Sequence, residues 1–113
     1  LVTDTIFSKI LKKQIPAEII YEDEQCIAFN DISPQAPTHI LVIPRKEITK
    51  LSESCESDKD LLGHLMLSAT QIAKKLNLDN YRLVVNNGSD AGQTVFHLHI
   101  HILAGRPFGW PPG

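Results

Sequence analysis

The stretch Val95-Phe96-His97-Leu98-His99-Ile100-His101-Ile102-Leu103 alternates histidine with apolar residues, and its reading decides the fold. Side chains on a strand point to opposite faces in turn. A strand here puts His97, His99 and His101 on one face and Leu98, Ile100 and Ile102 on the other. The apolar face needs a cover. Leu61, Leu62, Leu65, Met66, Ala69, Ile72, Ala73 and Leu76 recur at helical spacing and supply one. The imidazole face is then left open to a cleft.

Outward from that strand, the pattern predicts four more. Residues 18–21 and 26–30 read as a hairpin turning at Asp23 and Glu24, 39–43 as a strand closed by Pro44, and 81–86 as a fourth. The last strand is expected over 95–103. A short first helix carries Ile6, Phe7, Ile10 and Leu11 as one stripe, with Asp4 or Thr5 as its cap and Pro16 as its stop. Ser57 with Asp60 resembles a capping box for the long helix. The sum is an α+β domain with a five-stranded antiparallel sheet and two helices, one domain over 1–113. Such a sheet has two edges, and an edge strand often pairs with a second subunit.

Composition narrows the partners. The 113 residues carry a formal net charge of -2 with interspersed signs, which disfavours a nucleic-acid duplex. The longest apolar runs, such as Ile40-Leu41-Val42-Ile43, are far too short for a membrane-spanning helix, so no membrane partner is expected. Cys26 and Cys55 read as free thiols, which fits a reducing compartment. The default expectation is a cytoplasmic or nuclear protein. Because the chain starts at Leu1, an upstream organellar targeting segment stays open.

Three chemistries suit the histidine face. Same-face neighbours on a strand lie about 6.7 Å apart, so the outer pair is roughly 13 Å apart. Zinc–nitrogen bonds of about 2.0–2.1 Å let two such histidines share an ion, but all three on a regular strand only with strain. Asp31 is the acidic residue nearest to hand. The second reading is three histidines on a wet sheet face. The third is nucleophilic or acid–base catalysis, for which neutral imidazole suits attack on phosphorus if its other nitrogen holds the proton. Asn87-Gly88 and Ala91-Gly92 could turn backbone N–H groups toward an anion as a nest, with Asn86 and Thr94 beside them.

The motif His97-Leu98-His99-Ile100-His101-Ile102-Leu103 resembles the signature of the histidine triad superfamily. Asp4-Thr5-Ile6-Phe7, Ile15-Pro16-Ala17, Asp31 through His39, Leu62-Gly63-His64-Leu65 and Trp110-Pro111-Pro112-Gly113 resemble its nucleotide-binding, Hint-type branch. The resemblance implies a homodimer whose sheets join into ten strands. It also implies hydrolysis of purine nucleoside phosphoramidates, of the adenosine 5'-phosphoramidate or AMP-lysine type, through a nucleotidyl-histidine intermediate. His99 matches the nucleophile and His101 a residue contacting the phosphate, while His97 and His39 match supporting histidines. Asn86, Gly92, Thr94 and Val95 match phosphate contacts. Asp31 matches the carboxylate on the ribose hydroxyls. Ile6, Phe7, Ile10, Phe29, Ile32 and Leu41 match the walls of the base pocket. Trp110 matches a residue at the dimer boundary on the leaving-group side.

Purine nucleoside monophosphates and phosphoramidates are thus the expected ligands. No cofactor is expected to be required, and zinc, if held, is not expected to be catalytic. Two alternatives stand beside this. One is a dinucleoside polyphosphate hydrolase of the same superfamily, against which His101 and the Trp-Pro-Pro-Gly ending argue. The other is a nucleotide-binding regulatory or scaffold protein with incidental turnover. Thr94 stands where many relatives carry Ser, Asn30 where animal members often have His, and Arg106-Pro107-Phe108-Gly109 is unlike the usual tail. His64 has no catalytic match and reads as a helix-surface residue.

Overall fold

Thr38–Pro44 forms the strand on which everything else is hung, and we number it β3 in the computed structural model, which describes residues 4–113. The elements before it are α1 (Ile6–Leu11), β1 (Ile19–Glu22) and β2 (Cys26–Asn30). Those after it are α2 (Lys59–Lys75), β4 (Tyr81–Val84) and β5 (Ile100–Ala104). The sheet is antiparallel throughout, in the order β1-β2-β3-β5-β4. Its centre is therefore β3 with β5, as the alternating pattern requires.

Alternation on β3 serves two cores. Ile40 and Val42 face α2, joining Cys26, Ala28, Leu65, Ala69, Ile72, Leu98, Ile100 and Ile102. Leu41 and Ile43 face α1, joining Phe7, Ile27 and Phe29. A fully buried aliphatic side chain such as Ile102 contributes about 1.5–3 kcal/mol. His39 shares the α1 face. In the register of β3 against β5, Leu41 lies opposite His101 and His39 opposite Leu103.

Four local expectations are corrected. The last strand begins at Ile100, not Val95, although the faces still alternate. Its ladder with β3 stops at Val42–Ile100, and Pro44 further along has no N–H to donate. Upstream of Ile100 the backbone is held by other partners instead: the Leu98 N–H donates to the Ile48 carbonyl at 2.7 Å. The long helix is not capped by Ser57. Asp58 closes the preceding 3-10 turn, accepting the Cys55 N–H at 2.9 Å and the Lys46 ammonium at 2.5 Å. The first helix ends at Leu11, before Pro16, where Lys13 takes a left-handed φ of 59°. Its cap is Thr5, paired reciprocally with Ser8. Finally, His64 is no free surface residue: it donates to Asp23 Oδ2 at 2.7 Å and clasps α2 to the β1–β2 turn. Burial pushes the Asp23 carboxyl up, but donors from Tyr21, Gln25, Cys26 and His64 outweigh it and hold it below the ordinary carboxylate range.

Candidate functional site

Between α1 and the α1-facing side of the sheet lies a cleft of about 250 Å³. Phe7 forms its floor, meeting Phe29 edge-on at 5.5 Å and His99 at 5.0 Å between ring centres. Ile6, Ile10, Phe29, Leu41 and Val95 complete an apolar wall, Ile32 stands at its rim, and Asp31, Thr94, His99 and His101 give the polar side. All seven residues matched to a nucleoside pocket thus line one cleft. The structure also lines it with Ile15, Pro16, Ala17 and Asn30. The Asn30 amide donates to the Glu18 carboxylate. Ile32 is 91% exposed, forming a lip rather than a wall. A roomier depression between Leu78, Arg82 and Phe108 holds no histidine.

Four histidines gather at this cleft, His99 and His101 in its lining and His39 and His97 behind, and their partners fix where each proton sits. A backbone carbonyl only accepts and a backbone N–H only donates. His97 Nε2 lies 2.8 Å from the Pro44 carbonyl and so carries its proton. His99 Nδ1 lies 2.7 Å from the His97 carbonyl and carries its proton too, which leaves His99 Nε2 bare. His39 Nδ1 accepts the Gln35 N–H at 3.0 Å, so His39 is protonated on Nε2. That Nε2 lies 2.9 Å from His101 Nδ1 and 3.5 Å from Asp31 Oδ2. His101 Nδ1 therefore accepts, and its proton sits on Nε2. Among the described residues, His101 Nε2 is buried with no hydrogen-bond partner. A buried donor left unpaired costs about 1–3 kcal/mol, so a ligand that satisfies it gains accordingly.

Burial, before any other influence, lowers the pKa of His39, His97, His99 and His101. For His101 the neighbouring His99 and His39 add to it and bring the value to about 4. All four imidazoles are consequently neutral near pH 7. The site pairs a bare nitrogen on His99 with an N–H on His101, their ring centres 4.9 Å apart.

The glycine-containing loop differs from the expected nest. Four of its N–H groups are already used: Gly88 donates to Gln93 Oε1, Ala91 and Gln93 to the Gly88 carbonyl, and Gly92 to the Ser89 carbonyl. The buried Gln93 amide also donates to the Thr49 and Val95 carbonyls at 2.9 and 3.0 Å. Sequence reasoning passed over this hub, since a lone glutamine in a polar loop carries no signal. Asn86 packs against Gly92, its Nδ2 3.6 Å from where a Cβ would stand, and neither is among the residues that line the cleft. Thr94 and Val95 are the loop residues that reach the cleft. His39 and His97 stand behind its lining, and Trp110 is 83% exposed near the chain's end.

The donor atoms of Asp31, His39 and His101 lie within 4.8 Å of one another, close enough to converge on a metal ion. Asp23, Cys26 and His64 also satisfy that distance, but the Asp23 oxygens there already hold four donors.

The family model for the HIT domain matches residues 12–108. The chain belongs to the HIT family. It is 59% identical over 111 residues to an uncharacterized HIT-like protein of Synechocystis, covering 97% of each chain. It is 49% identical to a 14 kDa zinc-binding protein of Zea mays, covering 96% of this chain and 88% of that one. Among solved structures, a HIT family hydrolase from Legionella pneumophila superimposes with a TM-score of 0.94 at 43% identity, covering 97% of this chain and all of that one. A histidine triad nucleotide-binding protein from Candida albicans gives 0.83 at 32% identity, over 96% and 83% of the two chains. This HIT protein thus shares with its relatives the five-stranded α+β architecture described above.

Proposed function

We propose that this HIT protein hydrolyses purine nucleoside phosphoramidates through a nucleotidyl-histidine intermediate. The observation that carries the reading is the proton placement: His99 offers a bare Nε2, and His101 beside it offers an unpaired N–H. A nucleophile next to a proton donor is what cleavage of a P–N bond requires, because an amine departs readily only when protonated.

In the first step His99 Nε2 attacks the α-phosphorus and forms a P–N bond. The bond to the substrate amine breaks, its electron pair stays with the amine nitrogen, and His101 Nε2 supplies the proton. The positive charge arising on His99 is met by the His97 carbonyl on its Nδ1–H. In the second step water attacks the phosphorus and forms a P–O bond, His101 Nε2 takes a water proton, the P–N bond to His99 breaks with its electron pair returning to Nε2, and a nucleoside monophosphate leaves. Asp31 holds the ribose hydroxyls, and the wall from Ile6 to Leu41 holds the base. No cofactor enters either step.

The Hint-type resemblance, Trp110 included, supports a homodimer, with β4 as the pairing edge. The exposed α2 side chains Met66 and Leu67 suit the same contact. The test of the function is turnover of a fluorogenic adenosine phosphoramidate by wild type and His99→Asn. We expect nucleotide binding in both and turnover only in wild type. Equal turnover would refute the nucleophile. Binding without turnover in wild type would leave a nucleotide-binding protein.

A further inference from the structure

The proton on His101 Nε2 is set through His39, whose Nε2 also lies 3.5 Å from the Asp31 carboxylate of the cleft. It follows from a chain of contacts that ends outside the site, at Arg106. The guanidinium donates through Nε and Nη2 to the Gln35 carbonyl, at 3.3 and 3.0 Å. Its Nη1 donates to the Pro107 carbonyl at 3.1 Å, and its plane lies over the Phe108 ring at 4.4 Å. Arg82 approaches the same ring at 5.3 Å and donates to the Gly109 carbonyl at 2.9 Å. The Arg106 fork is thus held in place and grips one residue of the loop before β3. That same residue, Gln35, donates its N–H to His39 Nδ1.

We infer that Arg106 is a positioning residue that fixes the tautomer of His101 through Gln35 and His39. Two arrangements of the His39–His101 pair satisfy their mutual hydrogen bond. With the Gln35 N–H on His39 Nδ1, the proton lies on His39 Nε2, and His101 carries its own on its unpartnered Nε2. Without that N–H, His39 can hold its proton on Nδ1, leave Nε2 bare, and accept from His101 Nδ1–H. His101 Nε2 is then bare and has no proton for a departing amine. The Gln35 amide selects the first arrangement, and Arg106 holds that amide where it can do so. The tail that looked unlike its relatives in sequence therefore reaches the chemistry through the backbone.

The role of the His101 proton in turnover rests on the phosphoramidase reading, whereas the tautomer itself does not, so two measurements are paired. The first is the nitrogen-15 spectrum of the labelled histidines, in which Nδ1–H and Nε2–H forms have distinct shifts. We expect His101 as Nε2–H in wild type, a mixture of both forms in Arg106→Ala, and a largely restored Nε2–H signal in Arg106→Lys, which keeps one donor for the Gln35 carbonyl. An unchanged Nε2–H signal in Arg106→Ala overturns the inference whatever the substrate proves to be.

The second measurement compares two leaving groups on adenosine 5'-phosphate: an alkylamine, which must be protonated, and 4-nitrophenolate, which need not be. Arg106→Ala should lower kcat about tenfold on the first and under twofold on the second, a partial loss of the roughly 10²–10⁴-fold that a general acid supplies. Arg106→Lys should fall between. Equal losses on both substrates, or a weakened nucleotide affinity accounting for the loss, would make Arg106 merely structural. If wild type turns over neither compound, the function fails, and the spectrum alone still decides the role of Arg106.

Discussion

Replacing Gly105 by alanine tests how tightly the segment after β5 is fitted against the loop that carries Gln35. Gly105 has φ +97°, and a Cβ built on it would stand 2.7 Å from Pro37 Cβ and 3.0 Å from its Cγ. Two costs follow: about 1–3 kcal/mol for a side chain in a sparsely populated backbone region, and about 1–3 kcal/mol for the overlap. Gly88 separates them, because its φ is +96° with nothing within 4 Å of the added carbon. Gly63 is the opposite control, since it lies inside α2 with open space around it, and alanine there should gain about 0.5–1 kcal/mol. Urea unfolding of all three variants at one protein concentration reads the series. Gly63→Ala should raise the midpoint and Gly88→Ala lower it. With slopes of about 1–3 kcal/mol per molar urea, Gly105→Ala should lie about 1 M below Gly88→Ala. If Gly105→Ala is no worse than Gly88→Ala, Pro37 does not confine this segment.

Four further outcomes follow. Histidines buried in the neutral form bind fewer protons folded than unfolded, so stability is full above about pH 6.5 and declines as pH falls toward the His101 value of about 4; urea midpoints between pH 8 and 4 check the direction. For the same reason the acid limb of kcat/KM should lie below the ordinary imidazole value of 6.5, and a limb at or above it would contradict a neutral His99. Gln93→Ala leaves the Gly88 N–H and the Thr49 and Val95 carbonyls without their partner and should cost about 1–3 kcal/mol, with KM rising as Thr94 and Val95 loosen. Removing metal with a chelator should leave turnover unchanged, while added Zn²⁺ should inhibit by taking His39 and His101, an effect that Asp31→Asn weakens in an inhibition titration.

Much of the architecture was legible because period and composition agree. β2 and α2 fall where alternation and helical spacing put them, and the opposite faces of Leu98 and His99 survive even though the strand starts later. What failed depended on partners remote in sequence. Nothing near Val95 announces that the Leu98 N–H is taken by Ile48, or near Ser57 that Asp58 turns back to Lys46. The loop around Gly88 looked like an anion cradle because glycines permit that turn. Only the Gln93 side chain, folded into the loop, shows that the Gly88 donor is turned inward. The residues of the cleft were named by family likeness rather than by pattern. Periodicity alone could not separate Phe7 or Leu41 from plain core, and in the fold they touch both core and cleft. Proton placement lay beyond sequence altogether, being set by carbonyls and amides of Pro44, His97 and Gln35.

No lysine or arginine is among the side chains lining the cleft. A phosphate there meets neutral N–H dipoles, fixed in direction before it arrives. Its binding should then be nearly indifferent to ionic strength, since no counterions are released from a cationic surface. A dianionic monophosphate also has no cation to detain it. Under the proposed hydrolysis, a lining that holds the Asp31 carboxylate and no cation receives the less charged substrate and favours departure of the more highly charged product.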